Sequence, residues 1–134
     1  MWKIYKDNDQ DISFVLACVY CQAIDLNELK LWAERVVETS NIDDLPSYIY
    51  DLIDFDGPLF KISKIIGFSP INYLSLEEEY SIYGIAYIRK INVIDSPVEM
   101  SKAISLLRLN YYLLDRFKYF FPFIDKDVFQ EIYL

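Results

Sequence analysis

Asp25-Leu26-Asn27-Glu28-Leu29-Lys30-Leu31-Trp32-Ala33-Glu34-Arg35-Val36-Val37 carries both a helix start signal and a buried face. Asp25 and Glu28 have the spacing of a capping box, with a carboxylate in place of the usual hydroxyl. Leu29, Trp32, Ala33, Val36 and Val37 follow at i, i+3, i+4, i+7 and i+8, the stripe of an amphipathic helix. Upstream, Asp9 or Asp11 caps a first helix running to about Ala23, with Ile12, Val15, Leu16 and Val19 on one face.

Downstream, Asp44-Leu45-Pro46 starts a short third helix, with proline in the first turn where its missing N–H costs least. Gly57-Pro58 ends it and opens a segment from Pro58 to Ile66 that Gly67 closes. Ser75-Leu76-Glu77-Glu78 is a second capping box, leading into Glu79 to about Val93. That segment mixes helical and β signals. Ile82, Tyr83, Ile85, Tyr87, Ile88, Ile91 and Val93 favour strand, yet a lone strand has no partner elsewhere, so helix is the reading. Ser96-Pro97-Val98-Glu99 reads as cap, proline at the first helical position and Glu at the third. The helix it predicts runs to about Phe121, with two apolar stripes that place it between neighbours. Asp125 or Asp127 caps a last short helix. Only three glycines and five prolines leave little room for hairpins. The expected fold is all-α: a compact single-domain helical bundle over residues 1–134, with about six to seven helices and a long central helix near residues 97–121.

The 134 residues are 54% hydrophobic, carry a net charge of -8 and contain no histidine. Without histidine there is no Ser-His-Asp or Cys-His catalysis and no mixed-ligand zinc site of the usual kind. The acidity argues against nucleic acid, whose binding rests on Lys and Arg neutralising phosphates. Asp7, Asp9 and Asp11 follow the N-terminal lysines at once, unlike a signal peptide. The apolar stretch Phe14 to Cys21 falls well short of the about 20 residues a membrane span needs. The expected chain is cytoplasmic and has no membrane partner.

The charge is unevenly placed. Residues 1–60 hold twelve acids and four bases, whereas residues 61–134 hold nine of each. Residues 41–60 carry five aspartates and no base. On a helix from Pro46 to Phe55, Asp51 and Asp54 lie one turn apart, with Asp44 and Tyr48 in line and Asp43 and Asp56 on either side. Like charges at this spacing repel, so a chain with no use for them is expected to intersperse lysines. Solvated acidic faces also serve solubility alone. The functional reading is a docking face for a basic partner, with aspartates steering encounter and tyrosine anchoring it. Glu77, Glu78, Glu79, Tyr80 and Tyr83 form a second candidate patch, because Tyr80, Tyr83 and Tyr87 make a stripe at i, i+3, i+7.

Other chemistry finds less support. Cys18 and Cys21 have redox-motif spacing but lie inside an apolar helical run, where buried structural thiols are expected. No Gly-rich loop cradles a phosphate and no ligand set holds a metal, so no cofactor is expected. Asp51 and Asp54 have no cleft or substrate motif beside them, so a carboxylate-based hydrolase is the weaker alternative.

The stretch Gln22 to Val37, with its Trp32-Ala33-Glu34 helix, followed by Asp44-Leu45-Pro46-Ser47-Tyr48-Ile49-Tyr50-Asp51-Leu52, resembles small helical immunity proteins encoded beside bacterial toxins. These include the immunity proteins of contact-dependent growth inhibition systems. The resemblance implies a non-catalytic protein that binds one cognate toxin domain, often a nuclease, in a one-to-one complex. It carries no fixed site residues, so the candidate surface rests on charge and aromatic placement. A nuclease presents a basic face to phosphates, for which an acidic face competes. The remaining alternative is a small regulatory or phage-encoded adapter for another cytosolic protein.

Overall fold

A computed structural model describes residues 1–133. They are all-α: α1 (Gln10–Tyr20), α2 (Leu26–Thr39), α3 (Tyr48–Asp54), α4 (Ile62–Ile66), α5 (Leu76–Ile88), α6 (Met100–Leu109) and α7 (Tyr112–Phe120). Short 3₁₀ segments cover Ile42–Asp44, Leu59–Lys61 and Lys126–Tyr133, and no strand occurs among the described residues. None of these helices is long and apolar enough to cross a membrane. The chain packs as two compact units, Met1–Leu16 with Asp25–Tyr73, and Ala17–Ile24 with the chain from Leu74 onward.

Both capping boxes form. The Glu28 N–H donates to Asp25 Oδ1 at 2.8 Å and the Asp25 N–H to Glu28 Oε1 at 3.0 Å. The Glu78 N–H donates to Ser75 Oγ at 3.1 Å and the Ser75 N–H to Glu78 Oε1 at 2.9 Å. Each box satisfies two backbone donors that a helix start otherwise leaves bare. Gly67 ends α4 in the left-handed region, at φ 86°. Asp125 Oδ1 accepts from the Asp127 N–H at 2.9 Å, at the head of the last 3₁₀ segment.

In the first unit, α2 buries Leu29, Trp32, Ala33 and Val36 and packs on α3, which buries Tyr48, Ile49 and Leu52. Trp2 meets Trp32 edge to face at 5.8 Å. Neither Asp9 nor Asp11 spends its side chain simply on starting α1. Asp11 accepts from the Lys3 N–H at 2.8 Å, and Asp9 binds Ile71 and Tyr73. In the second unit, α5 lies close against α6. A Cβ on Gly84 would stand 2.6 Å from the Ala103 carbonyl oxygen, so this approach requires glycine. Burial of Ile82, Ile85 and Ala86 makes the β-favouring segment helical. Phe117 centres a ring cluster, with Phe121 at 4.8 Å and Phe129 at 5.8 Å.

Three expectations are corrected. The long helix over residues 97–121 is two helices, broken at Asn110 (φ -117°, ψ 43°). Asn110 Nδ2 donates to Leu106 O at 3.0 Å and Ser81 Oγ at 3.3 Å. Its amide thus takes a carbonyl of the last turn of α6, the competition with helix that short polar side chains offer. Next, α6 starts at Met100 instead of Pro97. The Ser96 hydroxyl accepts from the Val98 N–H at 3.2 Å and donates to Val98 O at 2.6 Å, closing a local turn. Finally, α3 starts at Tyr48, because Leu45 leaves the 3₁₀ turn in extended conformation.

Candidate functional site

The acidic stretch is built in two pieces. Asn41 Oδ1 accepts from the Asp43 N–H at 3.1 Å and so caps the 3₁₀ turn that carries Asp43 and Asp44. Helix α3 then carries Asp51 and Asp54 one turn apart, and Asp56 follows it. All five side chains are exposed, and none pairs with a cation among the described residues. The expected line Asp44–Tyr48–Asp51 does not form on one helix, because Asp44 precedes α3.

Tyr48 is corrected from surface anchor to core residue. It is 5% exposed, meets Phe68 edge to face at 5.8 Å and donates its hydroxyl to the Ile4 carbonyl. Burial, with Tyr5 and Asp9 nearby, pushes its phenol well above the ordinary range. The exposed aromatic of α3 is Tyr50 (39%), four residues before Asp54 and therefore on its face of the helix. Ile42 (72%) and Phe60 (75%) are the most exposed large apolar side chains near the aspartates in sequence. Sequence reading missed all three. The available signal was that Ile49 and Leu52 already fill the buried stripe of α3, which leaves Tyr50 outside.

Beside Asp44 is a cavity of about 280 Å³ lined by Trp2, Ile4, Tyr5, Thr39, Ser40 and Asn41, among others. Its walls are cross-linked. Trp2 Nε1–H donates to Thr39 Oγ1 at 2.8 Å, the Thr39 hydroxyl to Arg35 O at 2.7 Å, and the Tyr5 hydroxyl to Asp44 O at 2.5 Å.

The second patch lies in the other unit and is only partly open. Glu77 is exposed, whereas Glu78, Glu79, Tyr80 and Tyr83 are half-buried. Glu78 is committed to the cap of α5 and accepts the Tyr112 hydroxyl at 2.7 Å. The Ser75 backbone bond, with Tyr112, the Ser75 hydroxyl and Arg116, lowers its carboxyl against the opposing effect of burial. Burial, chiefly, raises the Tyr83 phenol. Leu109, Tyr111 and Tyr112, exposed around the Asn110 break, are open surface that sequence reading assigned to one buried helix.

The thiols of Cys18 and Cys21 are free and buried. Burial first, then Glu79, pushes Cys21 up to about 12, and burial likewise pushes Cys18 well above its ordinary value. Thiols held this high are poor nucleophiles at neutral pH. The carboxylates with displaced titration, Asp9 and Glu78, are both held low and both hydrogen-bonded, unlike a general acid, whose value is raised. No group of three or more carboxylates or cysteines among the described residues is placed to hold a metal ion. Compared with known proteins, the sequence matches no family model and no curated protein, and no solved structure matches it.

Proposed function

We propose that this chain is a non-catalytic immunity protein that binds a basic toxin domain one to one, in the cytoplasm, and neutralises it. The observation that carries the reading is the run of exposed aspartates without a paired cation: Asp43, Asp44, Asp51, Asp54 and Asp56. Uncompensated charge on one stretch costs stability through self-repulsion, and it raises encounter rates with a basic surface by about 10–1,000-fold. Tyr50, beside the α3 carboxylates, supplies the exposed amphipathic anchor that the buried Tyr48 does not. A nuclease fits as the toxin, because its phosphate-binding face is basic and these aspartates compete with phosphates for it.

The test is co-purification with the C-terminal domain of any large toxin encoded directly upstream, followed by rescue of growth; an unrelated neighbouring operon would count against the reading. Charge reversal in the double variant Asp51→Lys/Asp54→Lys should slow association about tenfold at low salt, and the difference should shrink as salt screens the face. An unchanged on-rate and undiminished rescue would refute the acidic face as the docking surface. A basic partner that is not a toxin would overturn the immunity reading itself.

A further inference from the structure

We propose that Asp56-Gly57 is a self-modification site, at which the aspartate isomerises to isoaspartate without an enzyme. The inference is independent of the partner reading above. The reaction needs an accessible carboxyl, a following amide nitrogen free to approach it, and no Cβ shielding that nitrogen. Asp56-Gly57 is the one aspartate–glycine pair of the chain. It links the extended Phe55 that ends α3 to the extended Pro58 that caps the Leu59–Lys61 turn, so neither residue is helical. The other aspartates of the stretch show the contrast. The amide after Asp43 donates to Asn41 O at 3.0 Å, that after Asp44 to Ile42 O at 3.4 Å, and that after Asp54 to Leu52 O at 3.3 Å. The amide after Asp51 lies within α3. A bonded amide must first give up its bond, and helical ψ holds it away from the preceding carboxyl. The Gly57 N–H has no hydrogen-bond partner among the described residues, and the exposed Asp56 carboxylate has none either. Packing favours the glycine: a Cβ there would stand 3.2 Å from Phe55 Cε2, so the ring sits against a bare Cα.

In the reaction the Gly57 nitrogen attacks Cγ of the protonated Asp56 side chain. An N–C bond forms, one carboxyl oxygen departs as water with the carboxyl proton and the amide proton, and a five-membered succinimide closes. Water then adds to one of its two carbonyls. Cleavage of the new N–Cγ bond regenerates aspartate. Cleavage of the original peptide bond leaves the chain running through Cβ and Cγ, with the α-carboxylate free. Water is the only co-reactant, and nothing is oxidised. The net charge of -8 is unchanged. The main chain between α3 and Pro58 gains one methylene, so the site alters where charge sits and not how much there is.

The experiment holds the folded full chain in neutral buffer for several weeks and then cuts it with trypsin. Fragment 36–61 contains all five aspartates of the stretch. Electron-transfer fragmentation reads it, because it breaks the Cα–Cβ bond that isoaspartate places in the main chain. Isoaspartate should accumulate at Asp56 and not at Asp43, Asp44, Asp51 or Asp54. Asp56→Glu keeps the charge and the Phe55–Gly57 contact but would need a six-membered ring, and should show no conversion. Gly57→Ala should slow conversion about tenfold by shielding the amide. A folded chain that stays unconverted while the same segment converts as a free peptide would overturn the site. Conversion spread evenly over the five aspartates would overturn it equally. Growth rescue does not depend on either result, so the two proposals fail separately.

Discussion

Tyr73 donates its hydroxyl to Asp9 Oδ1 at 2.6 Å, while the backbone N–H of Ile71 reaches Asp9 Oδ2 at 2.8 Å. A carboxylate just ahead of the chain's first helix thus holds the segment that ends the first unit. Burial alone would raise its titration. The bonds from Tyr73, Ile71 and its own backbone outweigh burial and lower it below 3.8. The folded state therefore binds the proton less readily than the unfolded chain. The stability this contributes is complete above the ordinary carboxylate range and is lost as pH falls through the lower folded value. Asp9→Asn should reduce stability at pH 7 and flatten the acid limb below about pH 4, as read by urea unfolding at a series of pH values.

Gly84→Ala reverses a common rule. Alanine in place of a helical glycine normally adds about 1 kcal/mol. Here the new methyl would lie 2.6 Å from Ala103 O and 3.2 Å from Leu107 Cβ. The variant should instead lose about 1–3 kcal/mol by overpacking, measured by chemical denaturation.

Tyr48 and Tyr50 should separate folding from binding. Tyr48→Phe leaves the Ile4 carbonyl without its donor and should cost about 1 kcal/mol of stability, with the on-rate for a basic partner unchanged. Tyr50→Ala should do the opposite: a near-normal melting curve and a faster dissociation from the partner. A Tyr50→Ala variant that binds as tightly as the parent would remove that residue from the interface.

Asp54 occupies the last turn of α3, where a negative charge opposes the helix dipole, and it faces Asp51 one turn back. Asp54→Lys should raise the thermal midpoint by about 1–3 °C while slowing association with the partner. Stability gained where binding is lost is the signature of a residue kept for recognition. A fall in both would show that Asp54 supports the fold.

What the sequence made legible was chemistry contained within four residues. Asp25 with Glu28 and Ser75 with Glu78 form their boxes because both partners of each bond lie in one turn. Ser96 had the same appearance, but its hydroxyl closes on Val98, a choice between two local bonds that spacing does not distinguish. Asn110 was invisible as a break because its amide binds Ser81, twenty-nine residues away, as well as its own helix. Tyr48 was misplaced for a related reason. A tyrosine reads as surface until a distant carbonyl, here that of Ile4, satisfies its hydroxyl. The aspartates were correctly expected at the surface because nothing nearby in sequence compensates them, whereas the cavity beside Asp44 depends on residues 2–5 meeting residues 39–44.

Gln22, in the left-handed region at φ 64°, gives its side-chain N–H to Ile94 O at 2.6 Å and takes the Ile94 N–H on Oε1 at 2.8 Å. An amide that both gives and takes at one residue is a single rung of a β-ladder made from a side chain. Such a rung can age. Hydrolysis of that amide would set a carboxylate against the Ile94 carbonyl, turning one bond of the pair into repulsion. Gln22→Glu is the laboratory copy of the aged chain, and its Ile94 amide should exchange with solvent faster than the parent's.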